Sequence, residues 1–251
     1  MPAKTFDWEA GFATLVLTSC DRPTQLETTL TSILKCDLSG LKRFIVIEDS
    51  SNPQIAEIVE RVLVDVPHLF LQNPVNLGQI RSIDRAYAEV DTTYIYHCEE
   101  DWYFPTSLYI HEGRRILDAN PNVSVVLARK LADYKMQTLH PEILETDGIP
   151  FLKANPKWNW KWGSFSFNPG MRRTEDYLAI GSYAQLGPEQ EISMHLKFQG
   201  KVVVFLRDGD IAHTGHVSTA KPDEKKLHRK KGYLLHKAKR KIQFAWFCLM
   251  K

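Results

Sequence analysis

Residues 12–49 read FATLVLTSCDRPTQLETTLTSILKCDLSGLKRFIVIED, and their pattern indicates the fold class. Phe12–Thr18 is a short apolar run with β-forming residues, which predicts a buried strand. Pro23–Leu34 repeats its leucine and isoleucine residues at helical spacing, which predicts a helix. Residues 43–49, RFIVIED, repeat the strand pattern. The stretch therefore predicts a strand, a helix and a second strand.

The alternation of strand and helix patterns continues through the first half of the chain. Strands are predicted over 68–72, 92–98 and Val123–Arg129, and helices over Gln54–Val64, Gln79–Val90 and Thr106–Asp118. Strands that alternate with helices predict an α/β fold, with a parallel sheet covered by helices on both faces. Such sheets bind ligands at the carboxyl ends of their strands. Functional side chains are therefore expected in the loops at residues 19–22, 48–51, 73–78 and 99–102.

Composition places the chain among folded globular proteins. Of 251 residues, 43% are hydrophobic and 25% are charged, which excludes a disordered, collagen-like or disulfide-framework protein. The four cysteines are scattered and form no C-x-x-C pair, which excludes a zinc ribbon and a redox motif and favours reduced thiols. The first residues lack a signal-peptide pattern, and no run approaches the ~18 apolar residues of a membrane-spanning helix. We therefore expect a cytoplasmic protein.

Charge is distributed unevenly along the chain. Residues 221–251 hold eleven Lys and Arg against two acids, a net charge of +9, and the +2 of the whole chain leaves −7 for residues 1–220. Leu, Ile, Phe and Trp residues separate the basic clusters, as in a basic amphipathic helix. Such a helix either lies on an anionic membrane surface or packs along the acidic body. The acidic body and the lack of a nucleic-acid-binding motif argue against nucleic acid as the partner.

An acidic triplet, Glu99–Asp101, follows the predicted strand that ends at Cys98. Adjacent carboxylates in a cleft repel each other unless a cation or hydrogen-bond donors compensate them. The triplet therefore predicts either a divalent-metal site or a helix cap with solvated acids. Mg²⁺ prefers oxygen ligands, and an imidazole ligand would move the preference towards Mn²⁺. His213, which follows another apolar run at 201–206, is the candidate imidazole, although a lone histidine is more often structural.

Aromatic residues crowd into one segment of the second half of the chain. They are Trp158, Trp160, Trp162 and Phe165. Aromatic faces suit the C–H faces of sugar rings, so this segment predicts either a sugar-stacking platform or a hydrophobic plug under a long loop.

Five segments between residues 12 and 216 resemble the family 2-type glycosyltransferases of the GT-A fold. They are TLVLTSCDRPTQLETTLTSIL (14–34), VIEDSS (46–51), NLGQIRSIDRAY (76–87), YIYHCEEDWYFP (94–105) and GPEQEISMHLKFQGKVVVFLRDGDIAHTGH (187–216). In this order they are similar to the family's first strand and helix, its nucleotide-binding acidic loop, its Asn-x-Gly helix, its Asp-x-Asp metal segment, and its acidic helix with closing strand and terminal His. Cys98 and Glu189 depart from the family, which usually has Asp at both positions.

The resemblance implies a GT-A (Rossmann-like) domain over residues 1–220, with a nucleotide-sugar-binding half at about 12–118 and an acceptor-side half at 119–220. The basic amphipathic helical tail, 221–251, follows it. The implied activity is an inverting, metal-dependent transfer of a hexosyl or N-acetylhexosaminyl group from a nucleoside diphosphate, with UDP preferred, to a hydroxyl acceptor in cell-surface glycan or polysaccharide synthesis. Mn²⁺ or Mg²⁺ would be the cofactor, a glycan or lipid-linked molecule the acceptor, and the cytoplasm or the inner face of the membrane the location. A non-catalytic nucleotide-sugar or glycan-binding module of this fold is the alternative.

The resemblance also implies roles for single residues. The donor would be bound by Thr18, Arg22, Glu48, Asp49, Arg81, Arg85, Glu99 and Glu100, and the metal by Asp101 and His213, with Glu100 as an alternative ligand. The acceptor side would include Trp158, Trp160, Trp162, Arg172 and Arg173, with the two arginines on a mobile loop. Asp49 or Glu48 would accept the N–H of uracil. The arginines of the donor group would neutralise phosphate, since a guanidinium pairs with two phosphate oxygens at once.

Glu189 and Glu191 compete for the role of catalytic base. Residues two apart on a helix lie about 200° apart around its axis, so these two carboxylates cannot both face the cleft. The resemblance places Glu189 at the base position, where it would take the acceptor's proton in an inverting displacement. The alternative for Glu189 is an acid that only caps the helix N-terminus.

Overall fold

The computed structural model describes residues 6–214 and 231–250. Its strands are β1 Ala13–Ser19, β2 Leu41–Glu48, β3 His68–Gln72, β4 Tyr94–Glu99, β5 Trp102–Tyr103, β6 Val123–Leu127, β7 Leu139–Thr146, β8 Ile149–Ala154, β9 Gly170–Arg173, β10 Val202–Leu206 and β11 Ala212–His213. Its α-helices are α1 Pro23–Ile33, α2 Pro53–Val62, α3 Gln79–Tyr87, α4 Ile110–Ala119, α5 Thr174–Ile180, α6 Tyr183–Leu186, α7 Glu189–Phe198 and α8 Lys231–Met250.

Nine strands form one central sheet in the order β3-β2-β1-β4-β9-β6-β10-β8-β7. β3, β2, β1 and β4 are parallel neighbours, and β6 and β10 are parallel to each other. β9 runs antiparallel to both β4 and β6, and the β7–β8 hairpin joins β10 in antiparallel fashion. Because β9 joins β4 to β6, the sheet is continuous across the predicted boundary at residue 118, and the division into two halves stays a prediction.

Helices cover both faces of the sheet because its strands bury both sets of alternating side chains. β1 is buried along its whole length. Leu15 and Leu17 face the layer that contains α1, whereas Val16 faces the layer that contains α3. Each fully buried side chain of this size contributes about 1.5–3 kcal/mol. The predicted α/β fold, a mostly parallel sheet between two helical layers, is confirmed.

Three strands of the central sheet, β7, β8 and β9, lie where the sequence predicted none, as do the short strands β5 and β11. The hairpin of β7 and β8 turns at Asp147 and Gly148, which have φ values of 49° and 78°, as a tight type I′ turn requires. β9 places Arg172 and Arg173 inside the sheet, where they are 2% and 8% exposed. The predicted mobile loop for these two arginines is therefore wrong, because strands on both sides fix the segment.

The C-terminal helix α8 packs along α7. The ring of Phe198 in α7 lies 6.2 Å from that of Trp246 and 5.9 Å from that of Phe247. The predicted helical tail is thus present over 231–250, whereas its residues 221–230 and Lys251 lie outside the described residues. No helix of the described part combines the length and the apolarity needed to cross a membrane.

Candidate active site

The acidic triplet Glu99–Asp101 lies at the carboxyl edge of the sheet, where β4 ends. The chain then turns into β5, which pairs with β11 so that His213 lies opposite Trp102. Thr214 fixes this turn, because its N–H and its hydroxyl donate to the Asp101 carbonyl at 2.8 and 2.9 Å. The pairing brings His213 Nε2 within 3.4 Å of Asp101 Oδ2. The two residues predicted as metal ligands are therefore neighbours in the fold.

Arg22 points at the carboxylates of this triplet. It follows β1, directly after Asp21, whose left-handed backbone (φ 56°) turns the chain towards the site. Arg22 Nη1 lies 2.8 Å from Asp101 Oδ2 and 3.4 Å from Glu100 Oε1, and the Arg22 side chain is 10% exposed. Arg22 thus forms a partly buried ion pair, and the predicted contact with phosphate would require it to exchange one anion for another.

Repulsion within the triplet adds to the cost of burying it. Burial, followed by the charges of Asp101 and Glu100, raises the pKa of Glu99 to about 8. Burial also raises the pKa of Glu100 to about 7. Gln79, at the start of α3, donates to Glu99 Oε1 at 2.6 Å. A cation at this edge would favour the ionised carboxylates and so lower both pKa values.

The triplet fits a divalent ion that shares its coordination with substrate. No cluster of three or more His, Cys, Asp and Glu residues forms a closed metal site among residues 6–214 and 231–250. Asp101 and His213 offer one carboxylate and one imidazole. Glu100 Oε1 lies 3.4 Å from the Arg22 nitrogen that also contacts Asp101. Mg²⁺ is usually held by one or two carboxylates together with water and substrate phosphate. An open donor set of this kind therefore suits Mn²⁺ or Mg²⁺ bound together with a diphosphate.

Asp49 organises the loop 73–78 between β3 and α3. Its two carboxylate oxygens accept four hydrogen bonds, from Asn73 Nδ2 (2.7 Å), Asn76 Nδ2 (3.0 Å), Leu77 N (2.7 Å) and Gly78 N (2.8 Å). An ionised carboxylate has about four acceptor positions, and these donors occupy them. The predicted contact between Asp49 and a base N–H would therefore have to displace a donor of the loop.

A cleft of about 400 Å³ lies beside this loop. It is lined by residues that follow β1, β2 and β3, namely Cys20, Asp21, Asp49, Ser50, Ser51, Pro74, Val75 and Asn76. The loops at the carboxyl ends of parallel strands are where doubly wound sheets bind nucleotides. Glu48, at the end of β2, is fully buried and accepts the Asp21 N–H at 2.8 Å, so it supports one wall of the cleft.

The other residues predicted to bind the donor differ in exposure. Thr18 is 7% exposed and accepts the Glu100 N–H through its carbonyl at 3.1 Å. Arg85 Nη1 donates to Gln72 O at 2.9 Å and to Asn73 Oδ1 at 2.5 Å, so it braces the start of the loop 73–78. Arg81 is exposed on α3. The roles predicted for these residues towards a donor stay predictions.

Glu189 begins α7 on the side of the acidic triplet. Its Oε2 accepts the Phe167 N–H at 2.9 Å. Its charge is near enough to contribute to the raised pKa of Glu99. Burial raises the pKa of Glu189 itself, while the Phe167 hydrogen bond and the charge of Arg172 oppose that rise.

Glu191 turns away from the triplet towards α8. Its oxygens lie 2.8 Å from His236 Nε2 and 2.5 Å from Arg240 Nη2, and the residue is 7% exposed. Of the two candidate bases, only Glu189 is free of the ion pairs with α8 among the described residues, and the choice between them stays a prediction.

The structure separates the four aromatic residues predicted as one platform. Trp160 is 6% exposed and Phe165 is 2% exposed. Trp162 stacks on Phe205 at 5.7 Å, with 13° between the ring planes. Trp158 is 43% exposed. Packing against the body covers Trp160 and Phe165 and one face of Trp162, which favours the hydrophobic plug over a shared platform. The acceptor-side role of the three tryptophans stays a prediction.

Arg172 and Arg173 lie in different surroundings. The Arg172 guanidinium lies 5.2 and 5.7 Å from the rings of Phe165 and Phe167, below the loop that contacts Glu189. Arg173 pairs with Tyr94 at the beginning of β4, far from its acidic end. Its guanidinium donates to the carbonyls of Leu117, Asn120 and Val123. Arg173 therefore lies away from the acidic triplet and ties the end of α4 to β6, and its predicted acceptor-side role is not supported by this position.

Sequence analysis missed three groups of the site, namely Gln79, Thr214 and the Phe167 amide. Gln79 directly follows the Asn-x-Gly segment, and Thr214 directly follows His213. The sequence signal for both is therefore their position next to a recognised motif. The Phe167 amide has no side-chain signal, because any residue would supply it.

No family model and no curated protein matches the sequence. Solved structures do match the fold. The mannosyltransferase PcManGT from Pyrobaculum calidifontis, in complex with GDP-Man and Mn²⁺, superposes with a TM-score of 0.64 at 14% identity, over 87% of this chain and 60% of that one. TarS of S. aureus (residues 1–349), in complex with UDP-GlcNAc, gives 0.56 at 13% identity, over 86% and 64% of the two chains.

GalNAc-T7, solved with UDP, GalNAc and Mn²⁺, gives a TM-score of 0.64 at 12% identity, over 86% of this chain and 46% of that one. The chain thus spans less than two thirds of the length of each of these enzymes. Sequence identities this low support a shared fold but do not indicate a shared substrate. The strand order, the two helical layers and these superpositions together identify the architecture as the GT-A fold of glycosyltransferases.

Proposed function

We propose that this chain is a metal-dependent glycosyltransferase that uses a nucleoside-diphosphate sugar, with UDP as the preferred nucleotide. One observation carries the proposal: Asp101 and His213 meet at the carboxyl edge of the GT-A sheet, the same edge as a cleft that is lined by the loops after three parallel strands. The charge of Glu189 also contributes to the raised pKa of the neighbouring Glu99. Two of the neighbours are bound to Mn²⁺ and a sugar or nucleotide sugar, and a third to UDP-GlcNAc, which supports a donor of the same class here.

On the donor side, the cleft beside the loop 73–78 holds the nucleoside, and the diphosphate reaches the triplet. Asp101 and His213 would hold Mn²⁺ or Mg²⁺, which supplies positive charge to the leaving diphosphate. Thr18 lies at the end of β1, and Arg81 and Arg85 lie on α3. Arg81 is exposed, so its guanidinium can bind phosphate. Glu99 and Glu100 face the transferred sugar. The protein thus contributes mainly position and electrostatic stabilisation.

On the acceptor side, Glu189 is the base. As the acceptor oxygen attacks C1 of the sugar, its proton passes to the Glu189 carboxylate and the bond from C1 to the diphosphate breaks. Attack from the face opposite the leaving group inverts the configuration at C1. The raised pKa of Glu189 makes it a stronger base than an ordinary glutamate, and the Phe167 N–H holds one of its oxygens in place.

The proposal extends to the class of pathway. We assign the chain to the family 2-type enzymes, with residues 1–220 as the catalytic domain, a hexosyl or N-acetylhexosaminyl group as the transferred sugar, and a glycan or lipid-linked acceptor in cell-surface glycan or polysaccharide synthesis. The cytoplasm is the proposed location, where thiols such as the four free cysteines stay reduced.

A donor screen tests the function. Release of UDP, GDP and dTDP from their sugars is measured with and without Mn²⁺. We expect Mn²⁺-dependent release from a UDP-sugar, accelerated by a suitable acceptor. Tight binding of a nucleotide sugar without any release, in the presence of acceptor extracts, would instead favour the non-catalytic binding module.

A membrane contact is proposed for α8. Three of its apolar side chains, Ile242, Leu249 and Met250, are 72%, 86% and 66% exposed. The helix also holds five Lys and Arg and no acid. Basic helices with an apolar face lie in the interface of anionic bilayers.

Sedimentation with anionic liposomes at rising salt tests this contact. The full chain should sediment at low salt, and Ile242→Ser with Leu249→Ser should abolish sedimentation. Val64→Ser, which removes an equally exposed apolar residue outside α8, is the matched control and should sediment normally. A full chain that stays in the supernatant contradicts the membrane contact.

A further inference from the structure

Arg22 contacts the carboxylate of Asp101, the residue proposed to hold the divalent ion. Its Nη1 lies 2.8 Å from Asp101 Oδ2, and His213 Nε2 lies 3.4 Å from the same oxygen. Glu100 Oε1 is 3.4 Å from the same guanidinium nitrogen. One oxygen of Asp101 thus serves both as the acceptor for Arg22 and as the nearest carboxylate atom to the candidate imidazole ligand.

Two cations cannot share this oxygen without cost. A metal–carboxylate bond to Mg²⁺ is about 2.0–2.1 Å long, and an N–H donor at hydrogen-bond distance from the same oxygen repels the ion and competes for its lone pairs. The Arg22, Glu100 and Asp101 side chains are 10%, 9% and 15% exposed, so solvent screens this competition only weakly.

We infer that Arg22 is an internal counter-cation that competes with the divalent ion for Asp101, and that a nucleoside diphosphate relieves this competition by offering the guanidinium another anion. The inference rests on the proposed function for the identity of the two ligands. Under this inference, binding of the nucleotide strengthens binding of the metal, and release of Asp101 by Arg22 accounts for part of that effect. A guanidinium pairs with phosphate in the same two-pronged manner as with carboxylate, so the exchange conserves its hydrogen bonds.

Linkage makes the coupling reciprocal: if UDP tightens Mn²⁺ binding through Arg22, Mn²⁺ tightens UDP binding by the same factor. Without nucleotide, Arg22 keeps the triplet compensated and keeps metal affinity low. The chain thereby binds its two ligands together rather than filling the site with metal alone.

The experiment measures Mn²⁺ affinity of the full chain by electron paramagnetic resonance, without nucleotide, for the wild type, Arg22→Met and Arg61→Met. Arg61 is the matched control, since it pairs with Glu27 on an exposed surface away from the triplet. We expect Arg22→Met to bind Mn²⁺ about tenfold more tightly than the wild type, the factor for loss of one competing charge-assisted hydrogen bond. Arg61→Met should match the wild type. Equal or weaker Mn²⁺ binding by Arg22→Met overturns the inference.

A second arm repeats the titration with saturating UDP. UDP should tighten Mn²⁺ binding by a larger factor in the wild type than in Arg22→Met, and equal factors overturn the role given to the nucleotide. Arg22→Lys keeps the positive charge but loses the two-pronged guanidinium. Its Mn²⁺ affinity and its response to UDP should lie between those of the wild type and Arg22→Met, and it replaces the Met variant if that variant does not fold. If Arg22→Met binds Mn²⁺ more tightly but the protein transfers no sugar, the proposed function is wrong and the competition between Arg22 and the metal still holds. If no variant binds Mn²⁺, the competition is wrong.

Discussion

At the scale of single residues, Asp101 and Glu189 are both carboxylates, but their neighbours suit them to different tasks. Asp101 is approached by two basic side chains, Arg22 and His213. Glu189 is half-buried beside a backbone donor, the Phe167 N–H, and loss of solvation raises its pKa. A carboxylate beside an imidazole offers two ligands to a metal, whereas burial raises the affinity of a carboxylate for a proton.

Asp101→Asn should abolish metal-dependent transfer while leaving the fold intact, because an amide is a poor substitute for an anionic ligand. Transfer rates across a Mn²⁺ titration measure the loss, and circular dichroism checks the fold. His213→Ala should cost less, since it removes a neutral ligand. Full activity of Asp101→Asn would remove this residue from the metal site, and a larger loss in His213→Ala would reverse the ranking of the two ligands.

Glu189→Gln should lower kcat by roughly 10²-fold or more while UDP affinity is kept, because the amide retains shape but cannot accept the proton. Burial raises the Glu189 pKa above its ordinary 4.5, so the base is lost as pH falls through that raised value. The acid limb of the wild-type kcat profile should therefore lie above pH 4.5 and vanish in the variant.

Glu191→Gln is the comparison for this test. It should lower thermal stability, since His236 and Arg240 lose their partner, and leave the acid limb in place. If Glu191→Gln shows the loss of kcat instead, the two glutamates exchange roles.

At the scale of elements, the strands and helices that were predicted well are those that can be recognised from the pattern of their own residues. β1 and β2 each contain an unbroken apolar run, Leu15–Leu17 and Phe44–Ile47, and α1 carries its apolar residues at helical spacing, so each can be recognised in isolation. Other predicted elements differ from the structure by a few residues at their ends: β4 begins at Tyr94 rather than Thr92, and α4 begins at Ile110 rather than Thr106.

The elements that were missed depend on distant partners. β7 is an exposed edge strand without an apolar alternation. β9 is four residues long and holds two arginines, so only its position between β4 and β6 makes it a strand. The same limit applied to the site: Glu99–Asp101 and His213 were found because charged residues follow apolar runs, whereas the Arg22 ion pair joins loops 79 residues apart.

Lys197 shows how α7 is anchored at its other end. Its Nζ donates to the carbonyls of Pro156, Asn159 and Trp162 at 2.6, 2.6 and 2.7 Å. It also lies 5.0 Å from the Phe244 ring of α8. The residue is 1% exposed, and burial lowers the pKa of its ammonium group to about 7 from an ordinary 10.5.

Lys197→Met should remove a pH dependence of stability. Between about pH 7 and 10.5 the unfolded chain binds more protons at Lys197 than the folded one, so this residue makes the free energy of unfolding rise with pH, by at most about 1.4 kcal/mol per unit. Urea unfolding of the wild type and the variant at pH 6.5 to 9.5 measures the difference in slope. Lys157→Met, at an exposed position, should keep the wild-type slope, and an unchanged slope in Lys197→Met would contradict a lowered pKa.

At the scale of the whole molecule, α8 is part of the folded body as well as a candidate surface. A chain ending at Ala220 loses the cover that Phe244 and Phe247 give to α7 and the partners of Glu191. Each buried aromatic residue contributes about 1.5–3 kcal/mol, so the melting temperature should fall by at least about 5 °C. Differential scanning calorimetry of both chains measures it. An unchanged melting temperature would show that α8 adds nothing to the stability of the body.

The antiparallel strand β9 also has a consequence for how the protein is made. β4 leaves the ribosome about seventy residues ahead of β9, yet β9 is its neighbour on one side. At about 5–20 residues per second, translation leaves that edge of β4 open for roughly 4–14 s. An unpaired strand edge can pair with another nascent chain. The middle of the sheet, the most protected place in the finished protein, is therefore the most vulnerable during its synthesis.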